Sequence, residues 1–142
     1  KTWLSFLSPD TILTPHVKEF DRLTQKHIND FERLESAKQF SIKHRCILVL
    51  KGAYTQTVMP DGNIFFNSTG NAGLAKGGSG DTLTGIILGL LARGYTPPQA
   101  SLLGVYLHGS AADSALKKIH IESLLATDVI SRLPKAFEKL YE

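Results

Sequence analysis

The sequence predicts an α/β fold, and three observations carry that prediction. Cys46–Leu50 is an unbroken apolar run, as expected of a central parallel strand buried on both faces. The segments around it repeat apolar residues at helical spacing. A glycine-dense loop, Asn71-Ala72-Gly73-Leu74-Ala75-Lys76-Gly77-Gly78-Ser79-Gly80-Asp81, runs directly into an apolar helix. Strands followed by helices, with buried apolar strands, define the class.

Taken in order, Thr11–Leu13 reads as a short strand ending at Thr14-Pro15. A helix follows with Pro15 near its first position, where a missing N–H costs nothing. It carries His16, Glu19, Phe20 and Leu23. A second helix covers roughly Ile28–Lys43, with Phe31, Leu34, Ala37 and Phe40 assigned to one face. Lys51-Gly52 ends the buried strand. Thr55–Met59 and Ile64–Asn67 flank Pro60-Asp61-Gly62-Asn63, a turn signal between two strands of a hairpin. Beyond the glycine-rich loop, Leu83, Ile86, Ile87, Leu90 and Leu91 form one buried helical face, and Gly94 stops that helix. Thr96-Pro97-Pro98 opens a helix to about Lys118, packed closely through Ala100, Leu103, Gly104, Leu107, Ala111, Ala112 and Ala115. Thr127–Leu140 is a last helix that Pro134 should kink or break.

The 142 residues suffice for one domain with a core, residues 1–142. A net charge of +3, with no dense basic run and no interleaved aromatics, does not indicate nucleic-acid binding. The single cysteine, Cys46, excludes an internal disulfide framework and suits a reducing, cytoplasmic compartment. The longest apolar helix is too short to span a bilayer, and no signal peptide is visible. Lys1-Thr2-Trp3-Leu4 begins mid-pattern without an initiator Met, so the chain is expected to be a piece of a longer protein.

The loop before Leu83 invites an anion. Gly77, Gly78 and Gly80 can take positive φ and lack a Cβ, so their amides can approach a ligand closely. Free N–H groups at a helix N-terminus favour negative charge by about 0.3–1 kcal/mol. Asp81 stands on the same turn. A carboxylate beside an anion site makes sense if it takes a proton from a group about to attack a phosphate. Such loops also make plain turns, and an Asp at a helix start also caps. The stretch is neither a Walker A loop, for want of Gly-Lys-Ser/Thr, nor a dinucleotide fingerprint, because Leu83 replaces the third glycine.

Lys51-Gly52-Ala53-Tyr54-Thr55 follows the carboxyl end of the buried strand, where open α/β sheets bind ligands. Lys51 could meet phosphate, Gly52 lets the backbone come close, and Thr55 offers a hydroxyl; a plain strand-to-hairpin turn is the other reading. His16 and Glu19 share a helix face, yet nothing else stands at metal-ligand spacing, so either a ligand contact or a helix-start role fits His16. His108, in the Ala/Gly-rich helix, reads as a buried structural histidine, and Cys46 as a core residue. His27, His44 and His120 stand in polar surroundings and read as surface residues. No Gly-x-Ser-x-Gly nucleophile elbow is present.

Four stretches together resemble one family: Ile12-Leu13-Thr14-Pro15-His16-Val17-Lys18-Glu19-Phe20, Lys51-Gly52-Ala53-Tyr54-Thr55, Gly70 through Asp81, and Tyr106-Leu107-His108-Gly109. In this order and spacing they look like the carbohydrate-kinase-like domain of the ADP/ATP-dependent NAD(P)H-hydrate dehydratases, in the ribokinase-like superfamily. The resemblance runs from about Thr11 to Arg132. It implies an α/β/α sandwich, here partial, because the preceding strands of the family domain are absent. It implies repair of a hydrated NADH or NADPH: ADP or ATP phosphorylates the hydrate hydroxyl, and elimination of phosphate restores NAD(P)H.

By the same resemblance, Asp81 takes the hydroxyl proton and contacts the substrate, and the amides of Gly78, Ser79, Gly80 and Asp81 hold the transferring phosphoryl group. Lys51, Gly52, Ala53, Tyr54, Thr55 and Gly80 contact the nucleotide, and His16 the hydrated dinucleotide. Mg²⁺ is implied with the nucleotide, although no carboxylate pair stands ready to hold it. Leu74 stands where the family often has Met. A chain lacking the preceding strands is expected to leave a strand edge unpaired and to associate as a homo-oligomer or with the missing half. Two other readings remain: a ribokinase-like kinase of a sugar or vitamin-precursor alcohol, and a non-catalytic nucleotide-binding fragment.

Overall fold

The computed structural model describes residues 2–142. Four strands make one sheet in the order β1 (Ile12–Leu13), β2 (Ile47–Leu50), β3 (Gln56–Val58), β4 (Ile64–Phe66). β2 is central and wholly buried, as the apolar run predicts. It is parallel only to β1, with Ile12 opposite Ile47; on its other side it pairs antiparallel with β3, Val49 opposite Thr57. β3 and β4 form the expected hairpin, in which Thr57 faces Phe65.

The side-chain period of two divides β2 between two cores. Leu48 and Leu50 join Phe20, Ala37, Phe40, Cys46 and Val58 on one face. Val49 joins Leu83, Ile87, Leu90, Leu107 and their neighbours on the other. The first core is roofed by α1 (Val17–Leu23) and α2 (Asp30–His44), the second by α3 (Ser79–Ala92), α4 (Pro97–Ala115) and α5 (Ala126–Glu138). Helices therefore cover both faces of the sheet, the three-layer arrangement of an α/β sandwich. Phe20 is fully buried and meets Phe40 edge-on at 5.8 Å. Burying a side chain of that size stabilises by roughly 1.5–3 kcal/mol.

Several expectations change. Phe31 is 85% exposed rather than on the buried face of α2. Each step of three falls about 60° short of a full helical turn, so Phe31 and Phe40, three such steps apart, stand on opposite sides. Pro15 lies before the helix, because His16 is the N-cap of α1. His27 is buried, not superficial: its ring stacks on Phe20 at 5.7 Å, and Nδ1 lies 2.7 Å from Asp21 Oδ1. That contact holds the Asp21 carboxyl below its ordinary range. α5 passes through Pro134 without a break. Among glycines 77, 78 and 80, only Gly78 takes positive φ, at 84°.

α4 begins as the sequence indicates. Thr96 and Gln99 form a capping box around Pro97, each side chain accepting the other's backbone N–H. Small residues then let α3 close on it: a Cβ at Gly104 would stand 2.6 Å from Ile87 Cγ1. Cys46 is buried, and burial pushes its thiol up to about 11. Among the described residues, no helix is long and apolar enough to cross a membrane.

Candidate active site

The carboxyl ends of β1 and β2 lie side by side. The Lys51 amide donates to the Pro15 carbonyl at 2.9 Å, and an isolated parallel bridge pairs His16 with Lys51. Two segments far apart in sequence thus deliver an imidazole and an ammonium to one edge of the sheet, where open α/β folds take ligands. His16 caps α1: its Nδ1 accepts the Glu19 amide at 3.1 Å, and Glu19 Oε2 accepts the His16 amide at 2.6 Å. The capping reading of His16 therefore holds, and Nε2 remains 3.4 Å from Glu19 Oε1.

Glu19 also faces Lys51, with Oε2 and Nζ 3.8 Å apart. The His16 amide holds its carboxyl below the ordinary range, and the Lys51 charge adds to this. In the sequence Glu19 stands out only as a metal partner for His16. Its spacing in Thr-Pro-His-x-x-Glu reports the capping box, but nothing in the sequence reveals the approach to Lys51.

α3 starts beside this cation. Gly78 is its N-cap, in the left-handed region, and no side chain caps the helix. Asp81 is therefore not a cap, and its exposed carboxylate sits at the third helical position. Lys51 Nζ would stand 3.0 Å from a Cβ at Gly80, so the ammonium and the first turn of α3 share one small volume. Thr14 Oγ1 and Thr84 Oγ1 lie 3.5 Å apart where α3 passes the end of β1.

Behind this turn lies a contact that the sequence does not announce. Ser79 Oγ is 3.4 Å from His108 Nε2, and both side chains are buried. Burial pushes the His108 imidazole down to about 4, so near neutral pH it is uncharged. The structural reading of His108 holds, and its place is directly under the glycine-rich loop.

Of the loop after β2, Lys51 enters this constellation. Gly52, Ala53 and Tyr54 are exposed, and Thr55 Oγ1 donates to the Gly52 carbonyl at 3.3 Å to close the turn. Tyr54 is 68% exposed. Among the described residues, no group of three or more His, Cys, Asp and Glu could hold a metal ion. Two apolar grooves, of about 450 and 320 Å³, lie elsewhere. The first is lined by Tyr95, Leu102, Leu103 and Tyr106, the second by Met59, Phe65 and Pro98, and neither presents a cation. Lys51 and the first turn of α3, which carries no side-chain cap, instead converge at the carboxyl end of β2.

Fold and site together define a ribokinase-like α/β domain. A solved structure of a ribokinase-like superfamily protein from Enterococcus faecalis superposes with a TM-score of 0.78 at 32% identity, over 92% of this chain and 45% of that one. The family model for NAD(P)H-hydrate dehydratase, of carbohydrate-kinase type, matches residues 4–135, and the chain belongs to that family.

An ADP-dependent (S)-NAD(P)H-hydrate dehydratase from Bacillus subtilis is 44% identical over 89% of this chain and 48% of the relative. A bifunctional NAD(P)H-hydrate repair enzyme from Moorella thermoacetica is 42% identical over 92% of this chain and 25% of the relative. The structure of the Bacillus subtilis ADP/ATP-dependent enzyme, co-crystallized with ATP/Mg²⁺, superposes with a TM-score of 0.85 at 42% identity, covering 92% of this chain and 48% of that one. The chain spans about half the length of the first of these relatives and a quarter of the second.

Proposed function

We propose that the protein acts in nucleotide-dependent dehydration of NAD(P)H hydrate, and that residues 1–142 supply the carboxyl-terminal part of the domain that performs it. The observation that carries this reading is the meeting of Lys51, the uncapped first turn of α3 and Asp81 at the carboxyl end of β2. Family membership and the names of the relatives support it.

The work is divided among the residues of this edge. Lys51 and the amides of Gly78, Ser79, Gly80 and Asp81 receive the terminal phosphoryl group of ADP or ATP, where fixed donors stabilise charge without reorganising. Gly52, Ala53, Tyr54 and Thr55 contact the rest of the nucleotide. His16 contacts the hydrated dinucleotide through its Nε2 edge, which also faces Glu19 Oε1 at 3.4 Å. Asp81 takes the proton of the hydrate hydroxyl as that oxygen attacks phosphorus. The new O–P bond forms as the bond to the departing nucleotide breaks. The phosphate then leaves carbon with the electron pair of the C–O bond, a proton is lost from the neighbouring atom, and the ring double bond returns.

Mg²⁺ fits this site as an ion carried on phosphate oxygens and water, since the described residues offer scattered carboxylates and no cage. It would neutralise phosphate charge, and Glu19 and Asp81 are the acidic residues of this edge that could meet its water shell. The single buried cysteine and a nicotinamide substrate suit a cytoplasmic setting.

The test is recovery of reduced-nicotinamide absorbance when the full-length protein meets hydrated NADH with ADP or ATP. Nucleotide-dependent recovery is expected. Phosphorylation of a sugar or vitamin-precursor alcohol without action on the hydrate, or nucleotide binding without turnover, would overturn the reading.

A further inference from the structure

One stripe of α4 grips the far end of the glycine-rich loop. Tyr106, Gly109 and Asp113 stand at i, i+3 and i+7 and so share a helix face. Thr69 Oγ1 donates to the Tyr106 carbonyl at 3.0 Å. Gly109 lets the backbone of Thr69 lie against the helix, since a Cβ there would stand 2.6 Å from the Thr69 carbonyl carbon. Asp113 spends both oxygens on the loop: the Gly70 amide donates to Oδ2 at 2.8 Å, and Asn71 Nδ2 donates to Oδ1 at 2.8 Å. Asn71 Oδ1 in turn accepts the Gly73 amide at 3.0 Å, capping the short 3-10 turn Ala72–Leu74. Both ends of the Asn71 amide are thereby committed, which fixes its orientation.

No cation pairs with Asp113 in any ion pair found among the described residues. A carboxylate in a helix of small and apolar residues contributes nothing to the core. Its charge-assisted bonds go wholly to the loop. On the same helix, His108 meets Ser79 at the loop's other end. α4 therefore holds the loop at 69–71 and again at the start of α3, with the anion-facing glycines between or beside these points.

We propose that Asp113 is a positioning residue, whose two-oxygen grip on Gly70 and Asn71 sets the register in which the first turn of α3 meets the nucleotide phosphate. This rests on the nucleotide-dependent reading of the site. Asp113 does not touch the reacting atoms; it acts through the loop. A neutral amide at position 113 can satisfy only one of its two donors and sets an NH₂ group against the other. Exchanging the two side chains restores the pairing with reversed polarity. The amide oxygen now at position 113 would accept from the Gly70 N–H, and its NH₂ would donate to the carboxylate at position 71. That carboxylate would still accept from the Gly73 amide.

The experiment compares Asp113→Asn, Asn71→Asp and the double exchange in the full-length protein, each well below its melting temperature. Amide hydrogen exchange across residues 70–81 is read without nucleotide, and kcat and KM are read with hydrated NADH and ADP. Each single variant should exchange faster in the loop and lose about 10²-fold in kcat/KM, as small misplacements do. The double exchange should recover most of both. If Asp113→Asn fails to fold, Asn71→Asp carries the same expectation with α4 intact.

Wild-type loop exchange in a single variant, or losses that simply add in the double, would overturn the proposal. So would a lowered melting temperature with undiminished kcat/KM in the folded protein. The exchange readout needs no turnover. A wild-type protein that failed to restore NADH would sink the dehydratase reading alone, and the clamp would then stand or fall on loop exchange.

Discussion

Lys51 Nζ stands 3.0 Å from the point a Cβ would occupy at Gly80. The neighbour is the far end of a flexible side chain, so an alanine there moves an ammonium and not the backbone. Gly80 is helical and has no positive φ, and alanine is the better helix former by about 1 kcal/mol. Gly80→Ala should therefore leave stability unchanged or raised while weakening nucleotide binding, because the cation would be displaced from the proposed phosphate site. Gly80→Val should weaken it further. Calorimetric titration with ADP and ATP beside thermal melts separates the two effects; unchanged affinity in both variants would refute the placement of Gly80 and Lys51 at the phosphate.

Asp81→Asn should leave the fold intact, because Gly78 and not Asp81 caps α3 and no side chain takes a capping bond there. The cost to the helix is confined to the loss of a favourable dipole contact, about 0.3–1 kcal/mol. Turnover should fall by about 10²–10⁴-fold if the carboxylate takes the hydroxyl proton. A melting curve and a nucleotide titration close to wild type, with that loss in kcat, are the expected outcome. Turnover near the wild-type rate would remove Asp81 from the general-base role.

The four strands and five helices were legible because their signals are local, whereas the antiparallel pairing of β2 with β3 was not. An apolar run at 46–50, a Pro-Asp-Gly-Asn turn and a Thr-Pro-Pro helix start each report their own neighbourhood. Phe31 misled because steps of three mimic a face over two turns and then rotate off it. His27 misled because its polar neighbours in sequence are not its neighbours in space: the Phe20 ring and the Asp21 carboxylate are what bury it. The site was legible as separate pieces, Lys51 after a strand and Asp81 on a glycine-rich turn. What joins them is long-range. The Ser79–His108 contact spans 29 positions and the Asp113 clamp 42 and 43, and Lys51 reaches Glu19 from the next strand of the sheet. No short window of sequence contains any of these pairs.

His108 makes stability depend on pH in a defined window. Burial places its folded-state pKa at about 4, against 6.5 for the free side chain. Between those values the unfolded chain holds a proton that the native state does not, so stability falls as pH falls. The contribution is full above pH 6.5 and is lost progressively toward pH 4, to about 3 kcal/mol by order of magnitude. His108→Gln should flatten that part of the profile. Urea titrations at several pH values check the slope, and the imidazole resonances of His108 should remain those of the neutral ring until the pH nears 4. A ring that titrates near 6.5 would contradict the buried environment.

Gly109 and Gly52 should separate stability from binding. At Gly109 an added Cβ would run into Thr69 Oγ1 and stand 2.6 and 2.7 Å from the Thr69 backbone carbon and oxygen. Backbone cannot rotate out of the way, so α4 and the glycine-rich loop must part. Overpacking of this kind costs about 1–3 kcal/mol. The better helix propensity of alanine returns at most about 1 kcal/mol of that. At Gly52 an added Cβ meets nothing within 4 Å, and the residue has no positive φ. Gly109→Ala should therefore lower the melting temperature clearly, and its loop should lose nucleotide affinity with it. Gly52→Ala should melt within about 0.5 kcal/mol of wild type, as surface changes do. It should nonetheless weaken ADP binding, because the new methyl projects where the backbone of the loop after β2 is to meet the nucleotide. Thermal melts and ADP titrations on the two variants decide it. Equal destabilisation in both would contradict the packing at Thr69, and wild-type ADP affinity in Gly52→Ala would take that loop out of the nucleotide site.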